Sequence, residues 1–283
     1  MKYFLKKIFI NCPSFILYII YLLKKDNLFL QFLFQNFPEK NRLSHKTKKN
    51  ILKKIFISFE NIESATSLEA NIILLKYGLT NLDPRTEGCI VECGCFKGAS
   101  SITLSILAKF TNKQLVIYDS FEGLPLTEND SEKKAFYPHL SSYTEYQKGM
   151  YKGSLEEVKK NLKNFGYINH CIFVKGYFSE TLKKHSRNID FIFIDVDLIS
   201  SLKTCIIHLW KHLNSNSYLF TDDSCDMNLV KIWFDDSWWN KNIKESAPGY
   251  IGSGCGIPIK GNYSSLGYTI KHDIDNYKMI TWK

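Results

Sequence analysis

The sequence predicts an α/β fold: a doubly wound, Rossmann-like sheet that is mostly parallel, has an antiparallel C-terminal edge and is preceded by N-terminal helices. Three observations predict it. Short apolar runs alternate with helical patterns from Gly88 onward, a glycine-bearing turn follows the first run, and aspartates end the later runs. Apolar strands alternating with helices are typical of a parallel sheet covered on both faces. A hydrophobic share of 45% over 283 residues is enough for a sizeable core.

Five apolar runs are predicted to be the parallel strands, and the segments between them are predicted to be helices. The strands are 89–93, 114–118, 171–175, 190–195 and 217–221, and the helices are 99–110, 154–165, 179–184 and 201–212. Shorter runs near 256–260, 266–271 and 278–282 predict the antiparallel edge. The segment 121–153 is unusually long for a connection and is interpreted as a lid or binding loop.

Positive charge is concentrated at the N-terminus. Residues 1–60 carry 12 Lys and Arg against 3 Asp and Glu, whereas residues 61–283 carry 25 of each sign. We therefore expect a basic, apolar helical appendage over 1–60 and one catalytic domain over 61–283. A nucleic-acid partner is disfavoured, because the catalytic part has no net positive charge.

Residues 1–34 alternate basic pairs with apolar runs that are shorter than the ~20 residues of a spanning helix. Two interpretations of this segment are equally supported by the sequence. The segment either contacts a membrane peripherally, with lysines at anionic headgroups, or it packs on the catalytic domain or on a second subunit of a homo-oligomer. Cell fractionation at low salt separates them, because a wholly soluble full-length protein excludes the membrane contact. The stretch 38–54 is polar and is interpreted as a linker leading into a helix.

The eight cysteines are scattered, and most lie within apolar runs. Such positions indicate reduced core cysteines rather than a disulfide framework. Cys93 and Cys95 have no second cysteine pair or histidine at ligand spacing, so zinc is not expected. The pattern favours a cytoplasmic, reducing compartment.

The first functional motif is the turn Gly94-Cys95-Phe96-Lys97-Gly98 between a strand and a helix. Glycines there allow a tight turn and close approach of a ligand, while the helix presents free N–H groups. The alternative is a tight turn with nothing bound. Asp119 ends the next strand about 20 residues later, where a carboxylate can hold ribose hydroxyls. Together they predict an adenosine-containing ligand, without separating S-adenosylmethionine from NAD; Asp119 alone could be a turn acid.

Four aspartates follow the later strands: Asp195 and Asp197 after one, Asp222 and Asp223 after the next. In an open parallel sheet the strand ends line one crevice, so these carboxylates are expected to converge. Gathered carboxylates repel one another unless a cation neutralises them, and oxygen ligands suit Mg²⁺ or Ca²⁺. Capping of the following helices is the alternative.

At this point the chain resembles a known family. The order VECGCFKGAS, YDSFEGLP, GSLEEVKKNL, GYFSETL, IDFIFIDVDLISSL and YLFTDD, within about residues 62–224, resembles the macrocin O-methyltransferase family and, more distantly, catechol-type O-methyltransferases. The resemblance implies a class I methyltransferase fold, S-adenosylmethionine as the methyl donor and Mg²⁺ holding an acceptor oxygen. By motif position it implies cofactor-binding residues Glu92, Gly94, Gly98, Ser100, Asp119, Ser120 and Phe121, and metal ligands Asp195, Asp222 and Asp223, with Asp197 as a neighbour or substitute ligand.

The general base is the weak point of the resemblance. Catechol-type enzymes place a Lys three residues after the first metal aspartate, but that position is Leu198 here. Macrocin-type relatives are similar in using a His from the loop after SFEGLP, which makes His139 the candidate; a solvated loop histidine is the alternative.

The expected function is O-methylation of a sugar hydroxyl in a surface glycan, a lipid-linked glycan precursor or a glycosylated natural product, and the sugar rests on family analogy alone. One rival is methylation of a small catechol or phenol. Another is a non-catalytic nucleotide-binding or scaffold protein with this fold.

Overall fold

The computed structural model describes residues 12–23, 27–127, 132–137, 142–254, 257 and 265–272. Eight strands and ten α-helices are assigned in these ranges. The strands are β1 Cys89–Cys93, β2 Leu115–Asp119, β3 Lys134–Tyr137, β4 Ser142–Glu145, β5 Cys171–Lys175, β6 Ile189–Ile194, β7 Leu213–Thr221 and β8 Gly267–Ile270. The helices are α1 Ser14–Leu23, α2 Leu28–Phe34, α3 His45–Asn61, α4 Leu68–Asn81, α5 Ala99–Phe110, α6 Leu155–Phe165, α7 Phe178–Thr181, α8 Ile199–Leu209, α9 Met227–Val230 and α10 Asp236–Asn242.

The main sheet has six strands in the order β5-β2-β1-β6-β7-β8. All neighbours are parallel except β7 and β8, which are antiparallel. The predicted doubly wound sheet with an antiparallel C-terminal edge is confirmed. Because the chain goes to β2 and β5 on one side of β1 and to β6 and β7 on the other, the strand order reverses between β1 and β6. A ligand crevice is expected at that reversal.

Alternating side chains divide the core between the two faces of the sheet. Ile90 packs on one face with α4 and α5, while Val91 packs on the other with α8 and the tryptophans near the C-terminus. Both faces are apolar, which explains why the parallel strands are continuous hydrophobic runs in the sequence. Trp233 and Trp239 are fully buried here, so they serve the core.

The helices that precede β1 pack into the hydrophobic core on the Ile90 face of the sheet. Apolar residues of α2, α3 and α4 belong to the same buried cluster as α5 and Ile90. The segment 38–44, interpreted as part of a linker, is held in place, because the buried Asn41 side chain donates to the carbonyls of Leu79 (2.9 Å) and Leu82 (2.6 Å). Ser44 caps α3 by accepting from the N–H of Thr47. The linker interpretation is therefore wrong for 45–54, which is already helix.

Part of the long segment 121–153 has regular secondary structure. β3 and β4 pair antiparallel within it as a separate two-stranded sheet. The alternation Lys134-Ala135-Phe136-Tyr137 was too short to be recognised as a strand in the sequence.

Among the described residues, no helix is long and apolar enough to cross a membrane. The side chains of Leu28, Leu30, Phe32 and Leu33 on α2 are buried against protein. Packing on the catalytic part therefore accounts for the apolar face of α2. Membrane contact through 1–34 remains a prediction, since residues 1–11 and 24–26 lie outside the described ranges.

The shared core predicts that residues 27–60 unfold together with the sheet. Ile55 on α3 is fully buried, so Ile55→Ala is expected to lower the free energy of unfolding by about 2–5 kcal/mol. All five tryptophans lie beyond residue 209, so tryptophan fluorescence in a urea titration reports on the sheet half. The matched control is Ile207→Ala on α8, where the side chain is 39% exposed; its effect should stay within about 0.5 kcal/mol. An unchanged fluorescence transition in Ile55→Ala would show that 1–60 folds as an independent appendage.

Candidate active site

A cavity of about 480 Å³ lies at the carboxyl edge of the sheet. It lies beyond the ends of β1 and β6, where the strand order reverses. Most residues that line it come from the ends of β1, β2, β5, β6 and β7, from the segment after β2 and from the start of α8. They include Gly94, Cys95, Phe96, Asp119, Ser120, Gly123, Leu124, Tyr151, Gly176, Tyr177, Phe178, Asp195, Asp197, Ser200, Asp222, Asp223 and Cys225.

Gly94 is required by its surroundings. Its φ is +81°, and a Cβ at this position would collide with the carbonyl oxygen of Asp195 on the neighbouring strand end. The turn after β1 therefore lies directly against the end of β6, at the wall of the cavity. Gly98, with φ +87°, ends the turn as the N-cap of α5, and a Cβ there would press on Val158 at 3.1 Å. Gly94 lines the cavity, whereas Gly98 lies behind the turn.

Asp119 connects the second strand end to the glycine turn. Its two carboxylate oxygens accept hydrogen bonds from the backbone N–H of Cys95 (2.7 Å) and of Phe121 (2.6 Å). Burial raises the pKa of Asp119, and these backbone donors oppose that rise by stabilising the ionised form. Each oxygen can accept a further bond, so Asp119 remains able to bind hydroxyls in the cavity.

Four of the predicted cofactor residues stand behind the cavity wall. Glu92 is fully buried and accepts hydrogen bonds from the hydroxyls of Ser100 (2.6 Å) and Ser101. Burial raises the pKa of Glu92 to about 8. Glu92 and Ser100 thus tie β1 to the first turn of α5, and Phe121 and Gly98 also pack outside the cavity. The cavity itself brings together Gly94, Asp119 and Ser120 with all three predicted metal ligands.

The four aspartates after β6 and β7 converge at one end of the cavity. Burial raises the pKa of Asp195 well above its usual value, and repulsion from Asp222 and Asp223 adds to the rise. Burial likewise raises the pKa of Asp222 to about 7 and that of Asp223 to about 6. The N–H of Asp197, which has φ +60°, donates to Asp223 at 3.3 Å. The backbone therefore holds the two acidic strand ends together despite their like charge.

The donor chemistry of this cluster fits a hard divalent cation. Within the described part of the chain, Oδ1 of Asp222 is a buried oxygen without a hydrogen-bond partner, and a bound cation would satisfy it. No three His, Cys, Asp or Glu residues of the described ranges are arranged as a group that could hold a metal. The fit is one of ligand chemistry and burial.

Several cavity residues were not anticipated from the sequence. Tyr177 and Phe178 follow β5, and Tyr151 follows the β3–β4 pair. Position at the carboxyl end of a parallel strand could have identified Tyr177 and Phe178, because every such end faces the same crevice. No local signal distinguished Tyr151 from an ordinary surface tyrosine.

Two positions bear on the general base. Leu198 is 1% exposed and packs with Ala135 and Tyr146 of the β3–β4 segment. It therefore replaces the catechol-type lysine with an apolar anchor. His139 lies outside the described residues, so its placement is not tested.

Comparisons with known proteins place this geometry in a family. The macrocin-O-methyltransferase (TylF) family profile matches residues 80–248. Among solved structures, the O-methyltransferase NovP is 18% identical with a TM-score of 0.55, and the match covers 74% of this chain and 83% of NovP. CalS11, a calicheamicin methyltransferase, is 14% identical with a TM-score of 0.48, covering 82% of this chain and 95% of CalS11. No curated protein matches the chain.

The likeness to NovP, at this level of identity, supports the fold. The family match supports the chemistry, and it spans the glycine turn, Asp119 and the aspartate cluster. Because that match extends over more than half of the sequence, the protein belongs to the macrocin-O-methyltransferase family and is an S-adenosylmethionine-dependent O-methyltransferase with a class I fold.

Proposed function

We propose that this protein transfers a methyl group from S-adenosylmethionine to a sugar hydroxyl, in a surface glycan, a lipid-linked glycan precursor or a glycosylated natural product. The observation that carries the proposal is the single cavity in which the turn at Gly94 and the carboxylate of Asp119 meet the aspartate cluster. One end suits an adenosine, and the other suits an acceptor oxygen. The sugar is taken from the family resemblance.

Methyl transfer is an in-line displacement, so the acceptor oxygen must be aligned with the sulfonium carbon. Gly94, Asp119 and Ser120 are proposed to hold the donor. Glu92, Gly98, Ser100 and Phe121 are proposed to support it from behind, by fixing the turn and the start of α5. Tyr151 and Leu124 line the cavity and are proposed to exclude water from the reacting atoms.

Asp195, Asp222 and Asp223 are proposed to hold Mg²⁺, with Asp197 as a neighbouring carboxylate. When bound there, Mg²⁺ would orient the acceptor and lower the pKa of its hydroxyl. The buried, mutually repelling carboxylates support this assignment, because a divalent cation removes the cost of keeping them ionised.

Leu198 disfavours the alternative acceptor, a catechol or phenol. The catechol-type base would need an amine at this position, and the Leu198 side chain is enclosed by apolar residues. Contact with a membrane through residues 1–34 and assembly into a homo-oligomer remain predictions.

The donor site is tested by calorimetry with S-adenosylhomocysteine. Asp119→Asn keeps the size of the side chain but removes its charge, so the dissociation constant should rise on the order of 10–100-fold, the loss expected for charge-assisted hydrogen bonds. The control is Asp83→Asn, whose carboxylate pairs with Arg85 at the surface, and it should leave the affinity unchanged. Unaltered affinity in Asp119→Asn would remove Asp119 from the site. Absence of binding to the wild type, with and without Mg²⁺, would refute the proposed function.

The metal site is tested by thermal unfolding after chelation. Asp222→Asn removes one of the repelling buried charges, so the metal-free variant should melt higher than the metal-free wild type, on the order of 2–4 °C. Added Mg²⁺ should then stabilise the wild type and not the variant. Equal stabilisation of both proteins by Mg²⁺ would exclude Asp222 as a ligand.

The base is tested by steady-state kinetics on an acceptor found by screening methyl glycosides. His139→Ala should lower kcat on the order of 10²–10⁴-fold, the usual contribution of a general base. The matched histidine control is His208→Ala. His208 lies on α8, and its side chain does not line the cavity. Nearly full turnover in His139→Ala would eliminate His139 as the base.

A further inference from the structure

Glu132 is a buried carboxylate that lies outside the cavity and is 8% exposed. Its oxygens accept three hydrogen bonds: from the N–H of Ser200 (2.8 Å), from the hydroxyl of Ser200 (2.9 Å) and from the hydroxyl of Thr127 (3.1 Å). Ser200 belongs to the first turn of α8, where backbone N–H groups have no partner within the helix. Leu198 is the N-cap of α8 and has no side-chain acceptor. Glu132 therefore caps α8 from a distant part of the chain.

The β3–β4 segment that follows Glu132 packs on the residues that come after the two pairs of aspartates at the ends of β6 and β7. Ala135 of β3 and Tyr146, which follows β4, pack on Leu198 immediately after Asp197. β3 also contacts α9, which follows Asp222 and Asp223. The β3–β4 pair thus bridges the segments after β6 and β7 at the end of the cavity where the acceptor is proposed to bind.

Ser200 connects this pair to the cavity. Its side chain lies on the cavity wall, and both its N–H and its hydroxyl are held by Glu132. The first turn of α8 is therefore tied to the β3–β4 segment twice, by the hydrogen bonds of Glu132 and by the packing of Leu198 on Ala135 and Tyr146.

We propose that Glu132 is a positioning residue: it ties the β3–β4 pair to the first turn of α8 and thereby holds Ser200 in place on the cavity wall. This inference rests on the proposed function for the assignment of that wall to the acceptor. The anchoring itself rests on the contacts of Glu132. A carboxylate suits the position, because a negative charge at a helix N-terminus is stabilised by the helix dipole.

The test is hydrogen exchange measured by mass spectrometry on the full-length protein. Loss of a helix cap typically changes an opening equilibrium about five- to thirtyfold. Exchange in peptides that cover β3 and β4 should rise by this factor in Glu132→Ala. It should rise less in Glu132→Gln, whose amide oxygen can still accept from Ser200. The matched control is Glu145→Gln, an exposed glutamate on β4, which should exchange like the wild type.

Two further measurements distinguish a positioning role of Glu132 from a general contribution to the stability of the fold. Peptides that cover β1 and β6 should exchange as in the wild type, and the affinity for S-adenosylhomocysteine should change by less than about threefold, since Glu132 does not line the cavity. Unchanged exchange of β3 and β4 in Glu132→Ala would overturn the proposal. An equal rise in β1 and β6 would also overturn it, because the role would then be structural.

The acceptor arm uses whichever methyl glycoside is turned over by the wild type. Glu132→Ala should raise KM for that glycoside about five- to thirtyfold while kcat changes by less than about threefold, the pattern of lost ground-state binding. An unchanged KM would overturn the assignment of Ser200 and its turn to the acceptor side of the cavity. If the wild type turns over no acceptor, the proposed function fails, while hydrogen exchange still decides the anchoring.

Discussion

Mutual repulsion among buried carboxylates at the ends of β6 and β7 is the constraint on which the rest of the site depends. Asp195, Asp222 and Asp223 are kept in a cavity where burial and neighbouring charge both favour the protonated form. Such an arrangement is costly for folding, because charged groups are destabilised in low-dielectric surroundings. Buried carboxylates with raised pKa values are typical of functional sites. The backbone N–H of Asp197, directed at Asp223, partly offsets the cost.

The parallel sheet creates this constraint and also makes it useful. Parallel strands end at one edge, so whatever follows β1, β2, β6 and β7 must share the same crevice. The turn after β1 approaches β6 so closely that only glycine fits beside the Asp195 carbonyl. The proposed donor and acceptor positions thus meet in one cavity, and group transfer requires such proximity.

Elements outside the sheet pack around the segments that form the site. The β3–β4 pair, anchored by Glu132 and Leu198, packs against the segments that carry the aspartates. The N-terminal helices add to the apolar cluster on the Ile90 face of the sheet. Their charge and their packing are compatible, because lysines of α3 keep their ammonium groups at polar partners; Lys48, for example, donates to the carbonyl of Gln35 at 2.8 Å.

The sequence by itself determined the order of strands and helices, since buried parallel strands are continuous apolar runs and glycines and aspartates punctuate their ends. β1 and β5 begin and end at the predicted residues, whereas β7 begins four residues early because its polar start carries no hydrophobic signal. Gly94, Asp119 and the aspartates were predicted for the same reason. Only the tertiary structure decided that Glu92 and Ser100 support the turn from behind, that Tyr177 and Tyr151 face the cavity, and that Glu132 caps α8. These roles depend on contacts between residues far apart in the chain, and no local periodicity or motif encodes such contacts.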